Sequence, residues 1–211
     1  MTDPAISALT APAVPRRTWL ALAVLILGVA MALLDTTIVN VALPTIRTSI
    51  DASEATLSWI ISGYALAYGL ALIPAGRIGD RIGHKWVFIT GLSLFTVASL
   101  ACGLAQDSTQ LIVARIVQGL AGGIFFPPVT ALIQLMFPPR NRGAAFAIMG
   151  ATIGFSTALG PLVGGLFVGL PVEQLYMWSA LPFAGGAITC FVIHRLNEAR
   201  LAANPELRLA Q

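Results

Sequence analysis

Long apolar runs, broken by short polar interruptions, fill most of the chain. Each run is close to the ~20 residues that a helix needs to cross a hydrocarbon core about 30 Å thick. The pattern predicts six spans. The first runs from Thr18 to Val41 and ends before Pro44, the second from Leu57 to Ala75, and the third from Trp86 to Ala105. The fourth runs from Leu111 to Phe137 with Pro127-Pro128 in its later half, the fifth from Gly143 to Leu170, and the sixth from Leu175 to Ile193. The predicted connections are a segment around Arg47, Asp51 and Glu54, a charged island from Gly76 to Lys85, a turn over Gln106–Gln110, a loop from Phe137 to Arg142, and a turn over Pro171–Gln174. The fold class is an all-α membrane protein with six transmembrane helices over residues 18–193. Residues 1–17 read as a disordered cytoplasmic N-terminus and 194–211 as a charged cytoplasmic tail or linker.

Composition sharpens this picture. The 211 residues are 57% hydrophobic and only 10% charged, against about 25% charged in a soluble domain. The net charge of +3 does not indicate a nucleic-acid partner, because the basic residues are spaced between apolar runs. Arg16, Arg17, Arg77, Arg81, Lys85, Arg140, Arg142, Arg195, Arg200 and Arg208 all fall on one side if the N-terminus is inside. Only Arg47 falls outside, and Arg115 lies within the fourth span. That asymmetry is the positive-inside rule, and it predicts a multi-pass plasma-membrane protein with both termini cytoplasmic. Trp19 and Trp86 then sit at inner ends and Trp59 and Trp178 at outer ones, as interfacial anchors do. Arg16-Arg17 followed by Ala30-Met31-Ala32 has the outline of a secretory signal, but the apolar run is too long and more membrane follows it. Cys102 and Cys190 fall toward opposite faces and read as packing residues, with no disulfide framework or metal-ligand spacing.

Asp35 interrupts the first apolar run. An ionised carboxylate at that depth costs about 2.5–3.5 kcal/mol on insertion scales unless it faces a partner or a wet cavity, so it is a functional candidate by default. At 1.5 Å per residue, Asp35 lies about 25 Å up from Thr18, and Arg115 roughly 6 Å down from Leu111. Both fall in the outer third of the membrane, within reach of one another. Gln118 is one turn deeper on the face of Arg115.

The island Gly76-Arg77-Ile78-Gly79-Asp80-Arg81-Ile82-Gly83-His84-Lys85 carries three glycines suited to a tight turn and close backbone approach. It resembles the signature between helices 2 and 3 of the major facilitator superfamily. That resemblance gives Gly76, Asp80, Arg81, Gly83 and Lys85 the role of a cytoplasmic gate loop, latched through the Asp. His84 stands where the family carries Arg or Lys, so its charge depends on pH as theirs does not. Leu34-Asp35-Thr36-Thr37-Ile38-Val39-Asn40-Val41-Ala42-Leu43-Pro44 resembles the helix 1 signature of the 14-helix drug:proton antiporter branch. Ala114-Arg115-Ile116-Val117-Gln118-Gly119 resembles the helix 4 motif associated with proton coupling. Ser156-Thr157-Ala158-Leu159-Gly160-Pro161-Leu162-Val163-Gly164-Gly165 resembles the helix 5 antiporter motif, with Ser156 where Gly is common.

The resemblance implies one half-bundle with a 3+3 inverted repeat, the N-terminal half of a transporter whose members carry 12 or 14 spans. It implies proton-coupled efflux of drug-like or cationic lipophilic compounds. Asp35, Arg115 and Gln118 would couple protons to substrate, and Gly160, Pro161, Gly164 and Gly165 would form a helix hinge. Beyond substrate, protons and the lipid bilayer, the expected partner is a copy of the chain or a separately encoded second half. The alternative is a truncated or non-transporting subunit. An intramembrane serine protease built on Ser156 and His194 is excluded, because about 20 Å separates their depths. Tyr64, Tyr68, Phe125 and Phe126 are candidates to line a cavity. No enzyme activity, cofactor, metal or nucleic acid is indicated.

Overall fold

The computed structural model describes residues 14–167. It contains five helices: α1 (Arg16–Ser49), α2 (Glu54–Ile82), α3 (His84–Gly103), α4 (Ser108–Met136) and α5 (Pro139–Phe167). All five are long and apolar enough to cross a membrane. The predicted sixth span, and with it Cys190 and His194, lies outside the described residues.

α1, α2 and α4 are longer than their apolar runs predict, α3 keeps its length but begins two residues earlier, and several of the ends have a local cause. α1 does not stop before Pro44 but continues to Ser49. In hydrocarbon an interrupted helix exposes backbone groups that no water can satisfy, so one lost hydrogen bond is the smaller cost. The α1–α2 turn is therefore only four residues. Asp51 adopts a left-handed φ of 46°, and the Ser53 hydroxyl caps α2 by accepting from the Thr56 amide. Likewise α2 runs through Gly76 and Gly79 to Ile82, and the break falls on Gly83 alone, with φ 96°. The Asp107 carboxylate caps α4 at 2.8 Å from the Gln110 amide. Pro139 opens α5 at the first helical position, where a missing N–H costs nothing.

α4 packs on α2 and α3, and α1 packs on α5. The α2–α4 contact is backbone-close. The buried face of α2 is Gly63, Ala67, Ala71, Ala75 and Gly79, a small residue every fourth position. Opposite it, a Cβ on Gly119 would collide with the Tyr64 carbonyl and one on Gly123 with the Tyr68 carbonyl. Gly91 gives α3 the same access to α4, where a Cβ would stand 2.8 Å from that of Phe125. Large apolar side chains such as Ile73 and Leu135 point outward, 71% and 72% exposed, as suits a lipid-facing surface.

The core is in two parts. One apolar cluster joins Leu22, Leu25 and Val29 to Phe88, Phe95, Phe125 and Ile133. The other joins Ile38, Val39, Ala42 and Ile46 to Ile60, Cys102, Leu111 and Ala114. In sequence, Asp35 falls between the α1 members of the two clusters, and Arg115 and Gln118 between the α4 members.

Candidate functional site

Asp35 and Arg115 are 80 residues apart in sequence and meet in the bundle, with Arg115 Nη1 donating to Asp35 Oδ2 at 2.9 Å. The same Nη1 donates to Gln118 Oε1 at 2.7 Å. Because α4 begins at Ser108, Arg115 is about 10 Å from that helix end, somewhat deeper than the apolar run predicts. All three side chains are buried, at 1%, 1% and 0% exposure. Close packing at Gly119 also sets what lies beside the pair. It brings Tyr64 to α4, so that the guanidinium carbon stands 4.3 Å from the centre of the phenol ring.

A fourth helix completes this polar level. Thr96, Ser99 and Cys102 recur at three-residue spacing on α3, and all are buried. The Cys102 thiol donates to Gln118 Oε1 at 3.6 Å. Gln118 thus accepts from two donors, which fixes its amide orientation. Its Nε2 donates to no atom among the described residues. A desolvated ion pair of this kind is weak evidence for stability, since well-packed apolar residues often do as well, whereas losing one partner costs about 3–5 kcal/mol. Fold stability alone therefore does not account for the pair.

A cavity of about 320 Å³ opens beside the pair, between α1, α2 and α4. Arg115, Thr36 and Asn40 are its polar lining, and Tyr64, Tyr68, Phe125 and Phe126 its aromatic lining. All four aromatic candidates therefore face it. Tyr64 and Tyr68 stack with centroids 6.2 Å apart, and Phe126 meets Tyr68 edge-on. The Thr36 hydroxyl is already committed to the Ala32 carbonyl.

The remaining motif residues do not join this centre. Asp80 is 16 residues beyond Tyr64 on α2, about 24 Å along the axis. There the His84 Nε2 lies 3.3 Å from Asp80 Oδ1, across the Gly83 break, and a Cβ on Gly79 would strike the His84 ring. Gly76 is different: it is inside the helix with nothing within 4 Å of its missing side chain, so neither turn nor close approach requires it. Arg81 and Lys85 are exposed. On α5 the motif divides between two faces. Cβ atoms on Gly160 and Gly164 would press on Thr37 and Val41 of α1, whereas Gly165 meets nothing within 4 Å and Pro161 is exposed.

From sequence Cys102 reads as a packing residue, and Ser99 and Thr96 carry no expected role. The signal was present, as a polar stripe at three-residue spacing in an otherwise apolar helix. The stacking of Tyr64 under Arg115 left no such trace.

The Major Facilitator Superfamily model matches residues 25–208. Among curated relatives, the tetracenomycin C resistance and export protein of Streptomyces glaucescens is 41% identical over 167 residues, covering 79% of this chain and 30% of that protein. The methylenomycin A resistance protein of Streptomyces coelicolor is 43% identical over 142 residues, covering 67% and 30%. This chain therefore spans about a third of the length of these relatives. Solved structures agree in fold. A peptide transporter, POT, in complex with sulfate superposes with a TM-score of 0.72 at 17% identity, over 90% of this chain and 44% of that one. A bacterial homologue of the human lysosomal transporter Spinster, inward-facing and unoccupied, gives 0.70 at 21% identity, over 86% and 43%.

Proposed function

The chain belongs to the major facilitator superfamily, and on that premise we propose that it is the N-terminal half of a proton-coupled exporter of drug-like or cationic lipophilic compounds. The half is built as a 3+3 inverted repeat of six spans, in the manner of the 14-helix drug:proton antiporters, with both termini cytoplasmic. The observation that carries the reading is the buried Asp35–Arg115 pair at 2.9 Å, with Arg115 in the wall of an aromatic-lined cavity.

The physical requirement for antiport is that proton and substrate compete for one site. Asp35 has two ways to be neutralised, by Arg115 or by a proton. When a proton takes the carboxylate, Arg115 keeps Gln118 Oε1 and the Tyr64 ring and is not left bare. A cation entering beside Tyr64 and Tyr68 favours the ionised Asp35 and so expels the proton. Gln118, fully buried behind the cavity wall, holds Arg115 in place through its Oε1. Access then alternates as this bundle rocks against a second one about the shared cavity. Asp80, engaged by His84 yet 73% exposed, acts with Arg81 and Lys85 as the cytoplasmic latch. Gly160 and Gly164 seat α5 closely on α1, and Pro161 weakens the helix between them so that it can bend as a hinge.

The test is substrate-driven proton movement in proteoliposomes holding the chain with its second half. The relatives' names make small-molecule antibiotics the first compounds to try. Asp35→Asn should abolish proton movement while insertion and helical content persist. Undiminished exchange in that variant removes Asp35 from the mechanism. A strictly monomeric chain that moves no protons under any pairing would leave a non-transporting subunit.

A further inference from the structure

Two clefts on the outer side of α2 run into one another. The first, about 420 Å³, is an apolar groove formed by Leu70, Pro74 and Ile78 of α2 with Val87 of α3 and Leu120 and Ile124 of α4. The second, about 310 Å³, shares Pro74 and Ile78 with it and is rimmed by Arg77 and Arg81. These two arginines lie one turn apart on the same face, and neither has an ion-pair partner among the described residues. The nearest acid in sequence, Asp80, is taken up by His84 at 3.3 Å.

We propose that this joined cleft is a binding site for an anionic phospholipid, with the phosphate held between Arg77 and Arg81 and an acyl chain lying in the groove. Like charges at this spacing repel on an isolated helix, and a bridging phosphodiester relieves that repulsion. Guanidinium groups suit the task, since their planar forks bind phosphate oxygens in pairs. The helix C-terminus accounts for one cation in the last turn, but not for two opening onto the mouth of an apolar groove. Dimensions agree. From Leu70 to Arg81 α2 rises about 16 Å, close to half of the ~30 Å hydrocarbon core, which is the length one leaflet offers. Basic pockets between transmembrane helices are a recurrent form of anionic-lipid site.

The test is native mass spectrometry of the full chain released from nanodiscs of phosphatidylcholine with a minor share of phosphatidylglycerol. The wild type should retain phosphatidylglycerol over phosphatidylcholine by roughly ten- to thirty-fold, and millimolar inorganic phosphate should not displace it. Arg77→Lys with Arg81→Lys keeps the charge needed for insertion, loses the fork, and should lose most of the preference. Ile78→Trp keeps both arginines, fills the groove, and should do the same, whereas Arg16→Gln with Arg17→Gln should leave it intact. Equal retention of the two lipids by the wild type overturns the proposal. So does a preference that survives both the lysine and the tryptophan variants, or one that free phosphate abolishes.

Discussion

Arg115 Nη1 donates to two side chains at once, Asp35 at 2.9 Å and Gln118 at 2.7 Å. That sharing makes the three residues one energetic unit. Arg115→Leu should lower thermal stability in detergent by about 3–5 kcal/mol, because it takes the guanidinium partner from a buried carboxylate. Adding Asp35→Leu removes that carboxylate, so the double variant should be more stable than Arg115→Leu alone. The coupling in such a cycle should be about 0.5–3 kcal/mol. Additive losses would mean that the two side chains do not depend on one another. Much of this centre is legible in the sequence, since a membrane-spanning helix converts residue number into depth and charges at one depth must pair. What depth cannot give is rotation about each helix axis. The ring of Tyr64 under Arg115 and the Cys102 thiol on Gln118 both depend on rotation, and rotation is set by which small residues pack.

At the scale of the element, the glycines sort into those that hold helices together and those that do not. Gly119 faces the Tyr64 carbonyl, a backbone atom that cannot rotate away, so Gly119→Ala should destabilise the bundle. Gly160 faces the Thr37 side chain, so Gly160→Ala should be partly rescued by Thr37→Gly, a pairing that thermal unfolding of the four variants would read. Gly76→Ala should be neutral or raise stability by up to ~1 kcal/mol, the ordinary helix preference, since nothing stands near it. Gly83→Ala should cost about 1–3 kcal/mol, because φ 96° with ψ 128° is open only to glycine. Circular-dichroism melts of the two variants give opposite signs if the α2–α3 junction is as described. The sequence pattern spreads the turn over ten residues because it weighs every glycine alike. At this junction the helix runs on through Gly76 and Gly79, and of the three glycines only Gly83 takes a positive φ.

For the whole molecule, the side of α5 turned away from α1 is where the proposed second bundle can be tested. Among the described residues Gly150 and Gly154 meet nothing within 4 Å, and Phe155 and Leu162 are 66% and 68% exposed, while Gly160 and Gly164 on the other side press on α1. Among the described residues α5 thus has two faces, one packed on α1 and one without a packed neighbour. The solved structures that share the fold are about twice the matched length, which leaves room for a second bundle. If that bundle docks on the open face, Gly154→Leu should leave the melting temperature of the isolated chain unchanged and lower the fraction assembled with a second half or second copy. Gly160→Leu should do the reverse in order of cause, lowering the melting temperature first and assembly only as a consequence. Crosslinking in native membranes, set beside melts of the same variants, separates the two. Equal assembly of Gly154→Leu and wild type would place the interface elsewhere, on α2 or on residues beyond Phe167. The distinction matters for mechanism, because a bundle that rocks must be stiff within itself and loose against its partner, and α5 can serve both needs only if its two faces are independent.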